Sequence, residues 1–74
     1  MNIEKIKKVV ENSKGQKRIF RFNGSRNQIE EFSGTIENVY NYIFLVKINN
    51  ENKSLRSFSY TDILTESLEI FDDK

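Results

Sequence analysis

This 74-residue chain has no cysteine, histidine, tryptophan or proline. Without cysteine there is no disulfide framework and no thiolate metal site. Without histidine there is no imidazole to serve as general base, metal ligand or switch near neutral pH. Glycine is scarce, and its three copies, Gly15, Gly24 and Gly34, lie far apart, so there is no glycine-rich phosphate loop. Long apolar runs are absent too. The longest, Ile43-Phe44-Leu45-Val46, is far too short to cross a bilayer. The N-terminal stretch MNIEKIKKVVENSKGQ is charged and has no apolar h-region, so no secretory signal is expected. These absences point to a cytoplasmic protein with no membrane contact, no cofactor and no metal.

What is present reads as one small globular domain over residues 1–74. Apolar residues make up 36% of the chain and charged residues 31%, and the apolar ones cluster in short runs. Ordering a residue costs roughly 1.5 kcal/mol, which burial at roughly 25 cal/mol per Å² barely offsets in so short a chain. Good packing or self-association must supply the rest, so a homodimer or higher homo-oligomer is expected. The net charge of +1 hides an asymmetry. Residues 1–29 hold eight basic and two acidic groups, and residues 30–74 hold four basic and nine acidic ones. The basic half is either a binding face or the complement of the acidic half, within the fold or between subunits.

The spacing of Ile3, Ile6 and Val10 predicts an amphipathic helix over residues 3–14 of an N-terminal helical segment 1–15. Asn2 is its N-cap, and Gly15 suits the position just past its end. Strand texture follows over residues 17–22, 28–39, 42–49, 55–60 and 65–71, with an Asn23-Gly24-Ser25 turn after the first. Gly34 stands inside the long second strand, where it permits a sharp bend or a close backbone approach. Tyr42, Phe44, Val46 and Ile48 share one face of the third strand, and Ile43, Leu45 and Lys47 the other, which suggests burial on both sides. Tyr60-Thr61-Asp62-Ile63 reads as a tight or 3₁₀ turn, with Asp62 capping local N–H groups. Residues 72–74 are an acidic tail. A helix and five short strands, one of them bent, predict a mainly β fold: a small Sm-like/SH3-like five-stranded barrel over residues 17–71 with an N-terminal α-helix.

Three segments resemble the Veg family of Gram-positive bacteria. They are GQKRIFRFNGSR (residues 15–26), FSGTIENVYNYIFLV (32–46) and SYTDILTESLEI (59–70), in that order and at compact spacing. The last is the most specific, with its serine-tyrosine pair, the run Asp62-Ile63-Leu64-Thr65-Glu66 and then an alternating strand. The resemblance implies a small cytoplasmic regulator that stimulates biofilm formation by antagonising a transcriptional repressor of matrix genes. It brings no catalytic residues.

The residues themselves argue against an enzyme. Glu30 and Glu31 are strand neighbours and point to opposite faces. Asp72 and Asp73 fall in the tail, and no serine has an activating histidine. The polar stretch Asn49-Asn50-Glu51-Asn52 lacks the acidic spacing of a calcium loop. Two binding classes remain. Lys17, Arg18, Arg21 and Arg26 surround the first strand and its turn and suit phosphate. Tyr40-Asn41 falls where Sm-like rings present an aromatic and an amide to an RNA base, and Tyr40, Tyr42, Phe58 and Tyr60 are candidate stacking surfaces. Phe58 and Tyr42 are assigned to the core. For a protein partner, such as a transcriptional repressor, the candidates are Ile43 and Leu45 on the second face of the third strand, with Lys5 and Lys8 on the helix. The alternative is that the chain's own helix covers Ile43 and Leu45.

Overall fold

The computed structural model describes residues 2–24 and 28–72. The elements follow in the order α1 (Ile3–Asn12), β1 (Lys17–Asn23), β2 (Ile29–Val39), β3 (Ile43–Ile48), β4 (Leu55–Ser59), α2 (Tyr60–Leu64) and β5 (Leu68–Asp72). The molecule is mainly β, with five antiparallel strands in one sheet of order β4-β3-β2-β1-β5.

Helix α1 starts where its cap chemistry dictates. The Asn2 side-chain oxygen accepts the Lys5 N–H at 2.9 Å, satisfying one of the free donors of the first turn. Ile6 and Val10, one turn apart, are its buried residues. The helix ends at Asn12, two residues earlier than the apolar spacing predicts, and the Ser13 N–H returns to the carbonyls of Val9 and Val10. Gly15 then adopts a φ of 82°, a left-handed conformation open to glycine at little cost. Its N–H donates to the Ile36 carbonyl at 2.9 Å, which ties the connection to β2.

Strand β2 is the spine of the sheet. Residues 29–35 pair with β1, and residues 34–39 pair with β3. Gly34 sits at the overlap. A Cβ there would lie 2.8 Å from the Lys47 carbonyl oxygen and 2.9 Å from a Val46 methyl, so only glycine lets β3 come this close. A register shift between Ile36 and Asn38 adds a bulge, which increases the local twist.

The sheet rolls up as a result. Strands β1 and β4 are three places apart, or roughly 14 Å in a flat sheet at about 4.8 Å per strand. The rings of Phe22 on β1 and Phe58 on β4 are nevertheless 5.4 Å apart. Phe32 on β2 is 6.2 Å from Phe58, across two places. The expected barrel needs one correction, because β4 and β5 do not pair with each other and the sheet stays open. Helix α2 occupies the connection between these two strands, and α1 packs against α2. Ile6 and Val10 join Phe20, Ile36, Phe44, Val46, Phe58, Tyr60 and Leu68 in a single core. Helix packing thus replaces the missing strand pair.

The segment expected to be a tight turn is the helix α2. Its start is a reciprocal cap: Ser59 Oγ accepts the Asp62 N–H at 3.2 Å, and the Asp62 carboxylate accepts the Ser59 N–H at 3.1 Å. Strand β5 begins at Leu68 rather than Thr65. Glu66 has a φ of 64°, which no strand residue can hold.

Candidate functional site

The connection between β2 and β3 is a tight turn whose backbone is bound to the core. The Tyr40 N–H donates to the Ile43 carbonyl at 2.9 Å, closing the turn. Tyr60, the first residue of α2, holds it from below. Its hydroxyl donates to the Tyr40 carbonyl at 2.5 Å, and its N–H donates to the Tyr42 carbonyl at 3.4 Å. The Tyr60 ring is buried and stacks on Phe44 with centroids 5.6 Å apart. Burial raises the Tyr60 hydroxyl above its ordinary pKa, and the nearby Glu11 carboxylate raises it further. Tyr60 therefore stays a neutral donor at physiological pH.

With its backbone held, the turn presents its side chains outward. Tyr40, Asn41 and Ile43 are exposed, and Tyr42 is 83% exposed. The assignment of Tyr42 to the core is thereby corrected. Alternation places it with Phe44, but β3 begins at Ile43, so Tyr42 belongs to the turn and the two-residue period does not reach it. The Lys7 ammonium donates to the Asn41 side-chain oxygen at 3.4 Å and brings α1 alongside. Lys5 and Lys8 lie exposed on the same helix. Of the helix lysines, Lys7 reaches the turn. The sequence offered no signal for that contact, because it spans 34 positions.

Ile43 is exposed and Leu45 half-buried on the outer face of the sheet, opposite Ser59 and Ser57 of β4. Helix α1 does not cover them. Its apolar stripe enters the core on the other side, so the self-covering alternative is excluded. The structure thus brings Asn41 of the turn to Lys7 of the helix, and leaves Ile43 on the outer face.

The basic residues of β1 are placed elsewhere. Arg18 pairs with Asp72 at 3.5 Å and also donates to the Lys17 carbonyl and the Gln16 side chain. Arg21 is in register with Glu31 on β2 and Glu69 on β5, so carboxylates flank it from both sides. Lys17 lies opposite Thr35, in a shallow depression shared with Glu37, Lys47 and Lys53. Arg26 lies outside the described residues. Glu31, the partner of Arg21, is nine positions before Tyr40 along β2, or roughly 30 Å at about 3.3 Å per residue. Arg21 therefore stands beside one end of β2, and the Tyr40-Asn41 turn follows its other end. Part of the charge asymmetry is complemented inside the fold.

Sequence reasoning also missed Arg56. Its guanidinium sits over the rings of Phe22, Phe32 and Phe58, at 5.6, 5.4 and 5.1 Å, and pairs with Glu30 at 2.8 Å. It plugs one end of the rolled sheet with a cation over aromatic faces. Only the rolling of the sheet brings three strands under one side chain.

Among the described residues, no three acidic, histidine or cysteine side chains gather to hold a metal ion, and no helix is long and apolar enough to cross a membrane. The arrangement offers a surface for contact. Set against known families, residues 1–71 match the family described as "Biofilm formation stimulator VEG". No curated protein matches the chain.

Proposed function

The chain belongs to the VEG family of biofilm formation stimulators, and we propose that it promotes biofilm formation from the cytoplasm by binding a partner protein without catalysing a reaction. The partner is a transcriptional repressor, whose hold on matrix genes the contact relieves. The binding surface is the 40–43 turn together with the lysine face of α1, where Lys5, Lys7 and Lys8 suit an acidic rim and Leu45 extends the apolar part. One observation carries this reading. Tyr40, Tyr42 and Ile43 are exposed side by side on a backbone held to the core by Tyr60. A large apolar group on a rigid support loses little entropy on binding, which is the profile of an interface hot spot.

Complementation tests it. In cells lacking the gene, the double variant Tyr40→Ala, Tyr42→Ala should remain folded by circular dichroism yet fail to restore matrix-gene transcription. Full restoration by this variant would remove the turn from the mechanism.

A second reading is direct binding of DNA or RNA. The exposed Tyr40 and Tyr42 rings beside the Asn41 amide and the Lys7 ammonium favour it, since bases stack on such faces. Against it, Arg18 is already paired with Asp72, and Arg21 lies in register between Glu31 and Glu69, whose charges repel phosphate. Gel retardation decides: a band abolished by Arg18→Glu with Arg21→Glu, with log affinity falling as log salt rises, supports nucleic acid. No retardation at low salt eliminates it.

A further inference from the structure

A second apolar surface lies away from the 40–43 turn. A groove of about 410 Å³ runs between α1, α2 and β5, lined by Val9, Leu64, Ile70 and Phe71 among others, with Glu66 and Glu69 along it. Val9, Leu64 and Phe71 are all exposed there, and Phe71 is 44% exposed. The groove lies against the edge strand β5, whose outer side pairs with no strand among the described residues. The sheet has a second free edge at β4, which carries Leu55, 60% exposed. Unpaired strand edges are templates for further pairing, and charge decides which edges meet.

The two edges differ in sign. Residues 53–59 contain Lys53 and Arg56 and no acid, whereas residues 66–72 contain Glu66, Glu69 and Asp72 and no base. Two β5 edges brought together would oppose three carboxylates with three carboxylates, and two β4 edges would oppose cations with cations. Like charges directly across a strand pair destabilise it. Unlike edges attract. Arg56 is already paired with Glu30 and Asp72 with Arg18, so Lys53, Glu66 and Glu69 are the groups that steer the approach.

We propose that the β4 edge of a second copy of this chain docks against the β5 edge, continuing the sheet and placing Leu55 beside Phe71 over the apolar groove. The contact joins two different surfaces, so a docked pair still offers one free β4 edge and one free β5 edge, one from each copy. Assembly therefore proceeds head to tail, into a ring where the rotation closes and a filament where it does not. This surface shares no residue with the 40–43 turn, and the inference stands or falls apart from the regulatory reading.

Sedimentation velocity tests it with two exposed substitutions, Leu55→Asn on β4 and Phe71→Lys on β5, each checked for folding by circular dichroism. The unaltered chain should form species larger than a monomer at low salt and lose them as salt rises. Either substitution alone should leave only monomers. A mixture of the two variants should give dimers and nothing larger, because one intact β4 edge meets one intact β5 edge. Glu69→Lys should weaken assembly without touching an apolar side chain. The proposal is overturned by an unaltered chain that stays monomeric at low salt, which would leave the groove to a different protein. It is equally overturned if one of the two variants keeps the original size, the mark of a like-edge dimer, or if the mixture stays monomeric.

Discussion

Replacing Gly34 with alanine adds a single methyl group, and the structure states what it meets. The new Cβ lies 2.8 Å from the Lys47 carbonyl oxygen and 2.9 Å from a Val46 methyl. Neither obstacle is the free end of a flexible side chain. One is the backbone of β3, and the other belongs to a fully buried valine. Relief requires β3 to retreat from β2 by roughly half an ångström at the point where the ribbon turns from one pairing partner to the other. Overpacking of this kind costs about 1–3 kcal/mol. Alanine recovers part of that, about 0.5–1 kcal/mol, because it loses less backbone entropy on folding than glycine. The net loss centres on about 1 kcal/mol, which in a domain of this size lowers the melting temperature by roughly 4–8 °C. Thermal and urea unfolding followed by circular dichroism measure it, with an unchanged urea slope showing that compactness is kept. A variant that melts at or above the temperature of the unaltered chain would refute the close approach of β3 and, with it, the account of why the sheet rolls.

Other substitutions probe the supports of the core. Tyr60→Phe removes the hydroxyl bond to the Tyr40 carbonyl and should cost about 1 kcal/mol in urea unfolding, since solvent can reach the freed carbonyl at the surface. The same residue sets an alkaline limit. Its folded pKa lies above the ordinary value of 10, so its contribution is intact below pH 10 and is lost as pH rises from there through the folded value. The urea midpoint should therefore fall with pH in that range for the unaltered chain and fall less for Tyr60→Phe. Arg56→Ala should lose about 1–2 kcal/mol, most of it from the three ring faces, because the half-exposed Glu30 pair is screened by solvent. Glu30→Gln, which spares the rings, should cost clearly less in the same assay. Ser59→Ala breaks the reciprocal cap of α2 and should cost about 0.5–2 kcal/mol of thermal stability, and a variant as stable as the unaltered chain would show that α2 is held by packing alone.

The local grammar of the chain was legible before any fold was known. The cap at Asn2, the Ile6–Val10 stripe, the alternation of Phe44, Val46 and Ile48 and the capping role of Asp62 all depend on residues a few positions apart, and Gly34 stood out as a lone glycine inside a strand. The family resemblance rested on three such stretches, and the match over residues 1–71 agrees with it. Each misreading occurred where a local period met a boundary set from elsewhere. Tyr42 shares its parity with Phe44, yet β3 starts one residue too late to bury it. Strand β5 starts after Glu66 because the exit from α2 takes that residue into the left-handed region.

Tertiary structure alone decided which residues form a surface. Lys7 meets Asn41, and Arg56 covers rings from three strands, because a rolled sheet and a docked helix bring together positions far apart in the chain. It also left the sheet open, with α1 and α2 packed where a β4–β5 pair would have closed a barrel. Hydrophobic period and capping chemistry act over a few residues and can be read in one dimension. Strand order, free edges and the side chains left facing water depend on how the whole ribbon satisfies its burial at once, and no single stretch of residues carries that information.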